Sequence, residues 1–150
     1  MPDTPTPGAP GSLQHRAYLA LQRLALHQQR QGADLFRDHG LSAPQFNVLR
    51  ILRGATDGGL TCSEISDRLL DHDPDVTRLL DRLQKAGLVT RERDRPDRRI
   101  VATRLTDAGR DLLTRLDQPL TDLHARQFAH LTDTQLRHLL TLLTPPEDTP

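Results

Sequence analysis

Arginine is the residue type that offers chemistry in this chain, and it is concentrated in one stretch. Between Pro74 and Arg104 stand nine Lys or Arg (Arg78, Arg82, Lys85, Arg91, Arg93, Arg95, Arg98, Arg99, Arg104) against five acids (Asp75, Asp81, Glu92, Asp94, Asp97), an excess of four positive charges. The 150-residue chain as a whole has a formal net charge of zero. Guanidinium groups present paired N–H donors that fit phosphate and the N7 and O6 edge of guanine, so a local basic face of this kind points to nucleic acid. Overall neutrality argues against a general polyanion binder but not against such a face. No Ser-His-Asp set, paired carboxylates or phosphate-binding loop occurs, which leaves an enzyme as a remote reading.

The basic residues divide into two groups. In the segment Pro74 to Ala86, Val76, Leu79, Leu80 and Leu83 form a helical apolar stripe, which turns Asp75, Thr77, Arg78, Asp81, Arg82 and Lys85 to the opposite face. Arg78 and Arg82 lie one turn apart and are the candidates for reading bases in a major groove; Thr77 can meet a thymine methyl or a phosphate. Asp81 is expected to pair with Lys85 and with Arg78 along the helix, offsetting its repulsion of phosphates. Asp75 either serves the helix N-terminus or accepts from a cytosine amino group. The second group is the six-residue segment Asp94 to Arg99, DRPDRR, between two β-rich runs, Leu88 to Arg93 and Ile100 to Leu105. A hairpin tip carrying Arg95, Arg98 and Arg99 suits a minor groove, with Asp97 holding one arginine in place. Against both groups stands the plainer reading of solvated charges in ordinary ion pairs.

The elements that must position these residues follow from capping and periodicity. Residues 1–11 hold four prolines and two glycines and read as a disordered tail. Ser12 caps a long amphipathic helix that closes near Gly40, with Gly32 marking a place for a kink or break. Ser42 and Gln45 form a capping box, with Pro44 in the first turn, for a helix burying Phe46, Leu49 and Leu52 and ended by Asp57-Gly58-Gly59. Thr61 and Glu64 form a second box, for a short helix through Ile65, Leu69 and Leu70. Asp73 is expected to cap the reader helix with Pro74 at its first position, and Gly87 to end it. Thr106 caps a helix carrying Leu112, Leu113, Leu116, Leu120 and Leu123, with a kink expected at Pro119. Thr132 and Gln135 open a last helix with Leu136, Leu139, Leu140 and Leu143, stopped by Pro145 and Pro146. Tyr18, Phe36, Phe46 and Phe128 are the only aromatic residues, so the core must be aliphatic, and long helices sharing a partner's surface make a homodimer the expectation. The fold class is mainly α with a small β-hairpin wing: a tail at 1–11, a dimerisation helix at 12–40, a winged helix-turn-helix at 41–105, C-terminal dimerisation helices at 106–144 and a loose tail at 145–150. With one cysteine and no N-terminal apolar run, neither an internal disulfide nor a signal or membrane-spanning segment is expected, which reads as cytoplasmic.

From Leu41 to Leu113 the sequence resembles the multiple antibiotic resistance regulator (MarR) family of bacterial winged-helix transcription factors. The most specific match is DRPDRRIVATRLTDAGRDLL, which is similar to the family pattern at Asp97, Arg99, Leu105, Thr106 and Gly109; VTRLLDRLQKAGLV also looks like the family's reader helix. The chain departs from the family at Leu70-Asp71-His72, where Gly-Leu-Ser is common, and at Pro119, in a helix usually unbroken. The resemblance implies an obligate homodimer on a pseudo-palindromic DNA operator, with Arg99 in the minor groove, Asp97 orienting it and the reader helix in the major groove. It also implies repression relieved by a small, often phenolic or anionic effector, or in some branches by thiol oxidation or a metal. His15 and Arg16 on the first helix are guesses for an anionic effector. Cys62, in the first turn of its helix, has a physical basis for redox sensing, but a packed thiol is the plainer reading, and the thiol-sensing branch keeps its cysteine near the first helix. Neither His72 between two aspartates nor His124 and His130 on the penultimate helix has zinc-site spacing, so no metal and no cofactor is expected. The competing class of function is a winged-helix protein-interaction module without DNA contacts.

Overall fold

The computed structural model describes residues 8–55, 58–69, 75–93 and 101–144. In chain order the elements are α1 (Leu13–Asp38), α2 (Ala43–Arg53), α3 (Cys62–Arg68), α4 (Val76–Lys85), β1 (Val89–Arg93), β2 (Val101–Leu105), α5 (Asp107–Gln127) and α6 (Asp133–Leu143). The strands pair antiparallel, with Val89 opposite Leu105 and Arg93 opposite Val101. Leu60 adds a single antiparallel bridge to Thr103, exchanging both backbone hydrogen bonds at 3.0 and 2.7 Å. That third strand position carries no sequence pattern, because one residue cannot show alternation.

Capping residues set most of the boundaries. Ser42 Oγ accepts from the Gln45 N–H and Gln45 Oε1 accepts from the Ser42 N–H; Thr132 and Gln135 repeat the arrangement. At Thr61 the Glu64 carboxylate accepts from both the backbone N–H and the hydroxyl. Those bonds, the backbone one foremost, hold Glu64 below the ordinary carboxylate range. Two helices end alike. Gly40 and Gly87, both at positive φ, let the chain reverse so that Leu41 N–H donates to Phe36 O and Leu88 N–H to Leu83 O.

Several boundaries differ from expectation. α1 runs unbroken through Gly32, since a single glycine weakens a packed helix only modestly. α2 stops at Arg53 with Gly54 as its cap, ahead of the Asp57-Gly58-Gly59 run. α3 stops at Arg68, and Leu69 turns extended and drops into the core. Asp75, not Asp73, caps the reader helix: its carboxylate accepts from the Arg78 N–H at 3.3 Å, so α4 starts at Val76. α5 continues through Pro119 without a break, as expected, but ends at Gln127 with Phe128 as its cap, so His130 lies beyond the helix that holds His124. Residues 1–7 of the expected tail at 1–11, Asp57, Leu70, Asp71 to Pro74, the segment Asp94 to Ile100 and the stop at Pro145 and Pro146 lie outside the described residues.

The core is aliphatic and gathers every element before α6. Val48, Leu49, Ile65, Leu80, Leu83, Leu113 and Leu116 are fully buried, each contributing about 1.5–3 kcal/mol of transfer free energy. Phe36 stacks on Phe46 with ring centroids 4.2 Å apart, joining α1 to α2. The reader helix, the hairpin and α5 meet at one junction. Thr106 donates its hydroxyl to Gly87 O at 2.8 Å and its N–H to Leu88 O at 3.1 Å, and its Oγ1 accepts from the Gly109 N–H. Gly109 lies so near Leu88 O and the Leu105 side chain that a Cβ would collide with both. Gly109→Ala is therefore expected to destabilise the fold by about 1–3 kcal/mol through overpacking. At fixed protein concentration this should appear as a lower urea midpoint, and an unchanged midpoint would show that the junction can open without cost.

Candidate nucleic-acid interface

The apolar stripe of α4 (Val76, Leu79, Leu80, Leu83) is buried against the core, and that anchoring turns the rest of the helix outward. Thr77, Arg78, Asp81, Arg82, Gln84 and Lys85 are exposed. Gln84 was absent from the sequence-derived set because it flanks the basic face; its amide can pair with adenine as Arg does with guanine.

The acids on this face have specific partners. Asp75 caps α4 and also pairs through Oδ2 with Arg78 Nε at 3.0 Å, which gives this residue its structural role. Asp81 pairs with Arg91 of β1 at 2.7 Å rather than with Lys85 or Arg78. Strand alternation explains the choice. Arg91 shares a face of β1 with Val89, which is buried in the core, so its side chain lies toward the body and reaches α4. On the opposite face Glu92 pairs diagonally with Arg104 at 3.1 Å. These pairs are partly exposed and add only about 0–1 kcal/mol each to stability. Among the described residues, Arg82, Lys85 and Arg93 form no ion pair or side-chain hydrogen bond, so their charges stand uncompensated. Arg93, on the helix-facing side of β1 next to the segment Asp94 to Ile100, is a second residue missing from the sequence-derived set. Arg95, Asp97, Arg98 and Arg99 lie outside the described residues.

The sensor candidates are dispersed. His15 Nδ1 accepts from the Gly11 N–H at 2.9 Å, which commits it to the start of α1. Arg16 lines a shallow groove on the outer surface of α1 with Leu13, Ala17, Leu19, Ala20 and Arg23. The two are not brought together. Cys62 is half-buried at the start of α3, its Sγ 3.8 Å from Thr77 Oγ1 on the reader helix. Among the described residues no three His, Cys, Asp or Glu side chains gather as metal ligands, and no helix is long and apolar enough to cross a membrane. His72 lies outside them.

Two helices supporting a third that presents a basic face, followed directly by an antiparallel hairpin, define a winged helix-turn-helix. A MarR family profile matches residues 39–100. The chain is 39% identical over 108 residues to the HTH-type transcriptional regulator TtmR of Methylorubrum extorquens, a match covering 72% of this chain and 54% of TtmR. It is 34% identical over 108 residues to the HTH-type transcriptional regulator YkoM of Bacillus subtilis, covering 71% of this chain and 68% of YkoM. It thus spans about half the length of the first relative and two thirds of the second. A MarR transcription factor from Planctomyces limnophilus superposes with a TM-score of 0.70 at 41% identity, covering 88% of this chain and 96% of that one. A MarR variant from E. coli, solved in complex with operator DNA, superposes with a TM-score of 0.73 at 28% identity, covering 83% and 88%. This chain belongs to the MarR family of winged helix-turn-helix transcriptional regulators.

Because Asp75 caps α4, Asp75→Ala should lower stability by about 1 kcal/mol, and Asp75→Asn, which retains the acceptor, should be close to neutral. Urea denaturation of the two variants checks this; equal loss in both would assign the effect to the Arg78 ion pair instead.

Proposed function

We propose that this protein is a sequence-specific DNA-binding transcriptional regulator, a repressor that binds a pseudo-palindromic operator as a homodimer and is released by a small effector. The observation that carries the DNA reading is the outward face of α4: its acids are taken up by Arg78 and Arg91, leaving Arg82 and Lys85 exposed and uncompensated. In this reading Arg78 and Arg82 meet base edges in the major groove and Thr77 and Lys85 meet backbone or base. The wing residues Arg95, Arg98 and Arg99, with Asp97 orienting Arg99, enter the minor groove. The E. coli MarR variant solved in complex with operator DNA supports the DNA-binding reading through its similarity. Repression relieved by an effector is the reading that family membership supports.

Association as a homodimer is supported by where apolar surface remains uncovered. Among the described residues the exposed large hydrophobic side chains are Leu13, Tyr18, Leu21, Leu24 and Leu26 on α1 and Leu140, Leu142 and Leu143 on α6. α6 buries none of its residues against its own chain. A helix of this composition gains its stability from packing, so a second copy of the chain is the natural cover. Two such subunits would set their reader helices about one turn of DNA apart, roughly 34–36 Å.

Gel-shift assays on the DNA flanking the protein's own gene test the DNA reading. Affinity should fall on the order of a thousandfold from about 50 to about 200 mM salt if six or more phosphates are contacted, and Arg99→Ala should abolish binding. Binding indifferent to salt and to Arg99 would overturn the proposal in favour of a protein-interaction module. For the dimer, sedimentation should show a dimer for the native chain and a monomer when Leu140→Glu and Leu143→Glu are combined; a native monomer at micromolar concentration would refute it.

A further inference from the structure

An acid at the centre of a DNA-facing helix surface is a liability, because it repels the phosphates its neighbours attract. Asp81 occupies that place on α4. Spacing along the helix offers it Lys85 and Arg78, yet its carboxylate is 2.7 Å from Arg91 Nη1 on β1. Among the described residues this is the one ion pair that joins α4 to the hairpin. The Arg91 side chain is only 24% exposed and Asp81 is 52% exposed, so the arginine is held in the angle between helix and strand while the acid remains half in solvent. Arg91 stands opposite Thr103, itself buried and tied to Leu60, so the strand end of the pair rests on a fixed part of the sheet.

We infer that Asp81 and Arg91 are positioning residues for DNA recognition: their ion pair sets the angle between the reader helix and the wing, so that both enter adjacent grooves of one duplex together. This rests on the DNA-binding reading above. A guanidinium–carboxylate contact constrains direction as well as distance, which a flexible lysine or a solvated acid does not. The pair also leaves Lys85 unpaired for the nucleic acid. Its effect falls on specific binding, which needs both grooves engaged in register, and not on sequence-independent binding, which depends on charge alone.

The experiment reads a sign. Wild type, Asp81→Asn, Arg91→Leu, the double variant and Arg91→Lys are titrated onto the best duplex selected by the wild type from a randomised library and onto a random-sequence duplex. Thermal melts of each variant establish that measurements are made on folded protein. If Asp81 merely faces DNA, removing its charge strengthens binding to both duplexes. As a positioning residue, Asp81→Asn weakens binding to the selected duplex by about tenfold while binding to the random duplex stays level or rises, and the double variant is no worse than Arg91→Leu alone. Arg91→Lys, which keeps the charge, recovers part of the loss. Equal or tighter binding of Asp81→Asn to the selected duplex, or additive losses in the double variant, overturns the inference while leaving DNA binding intact. A wild type that selects no duplex overturns both.

Discussion

The contact of Thr106 and Gly109 with the turn at Gly87 and Leu88 is the constraint on which the site depends. Through it one helix N-terminus is capped, the reader helix is ended and β1 is started, all within two peptide units. Because Leu88 O lies against Gly109, α5 approaches more closely than any side-chain-bearing residue would permit, and Leu112, Leu113 and Leu116 are carried into the core cluster that the α4 stripe also joins. The buried stripe of α4 packs against α2, α3 and β1, and its polar face has one orientation. Hydrophobic packing sets that orientation without direction of its own; the hydrogen bonds at the junction supply the direction.

Electrostatics on the exposed side act on geometry more than on stability. The ion pairs of Asp75 with Arg78, Asp81 with Arg91 and Glu92 with Arg104 are all partly solvated, so each contributes little to folding. Their placement nevertheless decides which cations remain uncompensated. An acid that pairs across elements removes its own charge from the helix face without consuming a neighbour on the same helix, so Arg82 and Lys85 keep theirs.

The opposite end of the molecule shows a different physical situation. α1 is 26 residues long and buries only Phe36, and α6 buries no residue fully, while Leu13, Leu21, Leu24 and Leu26 of α1 and Leu140, Leu142 and Leu143 of α6 remain in solvent. Aromatic side chains, which bury the most area per residue, number four in the chain. A core built from Leu, Val and Ile with only the Phe36–Phe46 pair as aromatics serves the winged helix but leaves the long helices half covered. Between α1 and α5 the join is partly polar, with Gln127 donating to Gln31 Oε1 at 3.0 Å and to Gln28 O.

The sequence by itself determined the order and kind of the elements, because capping boxes, glycine caps and leucine periodicity are local signals, and each was satisfied within four residues of itself. It also identified Thr77, Arg78, Arg82 and Lys85 as an outward face, since helical spacing alone turns them from the stripe. Tertiary structure decided what depends on distant chain segments. The start of α4 fell to Asp75 where two aspartates competed for the role, the Leu60 bridge formed because Thr103 was there to receive it, and Gly109 was required because Leu88 lies across it. Most of all, only the fold could assign Asp81 to Arg91, because the nine residues between them turn through Gly87 before strand alternation returns the guanidinium to the helix. Local pairing rules see only Lys85 and Arg78 on the same helix, and the hairpin's return is what overrules them.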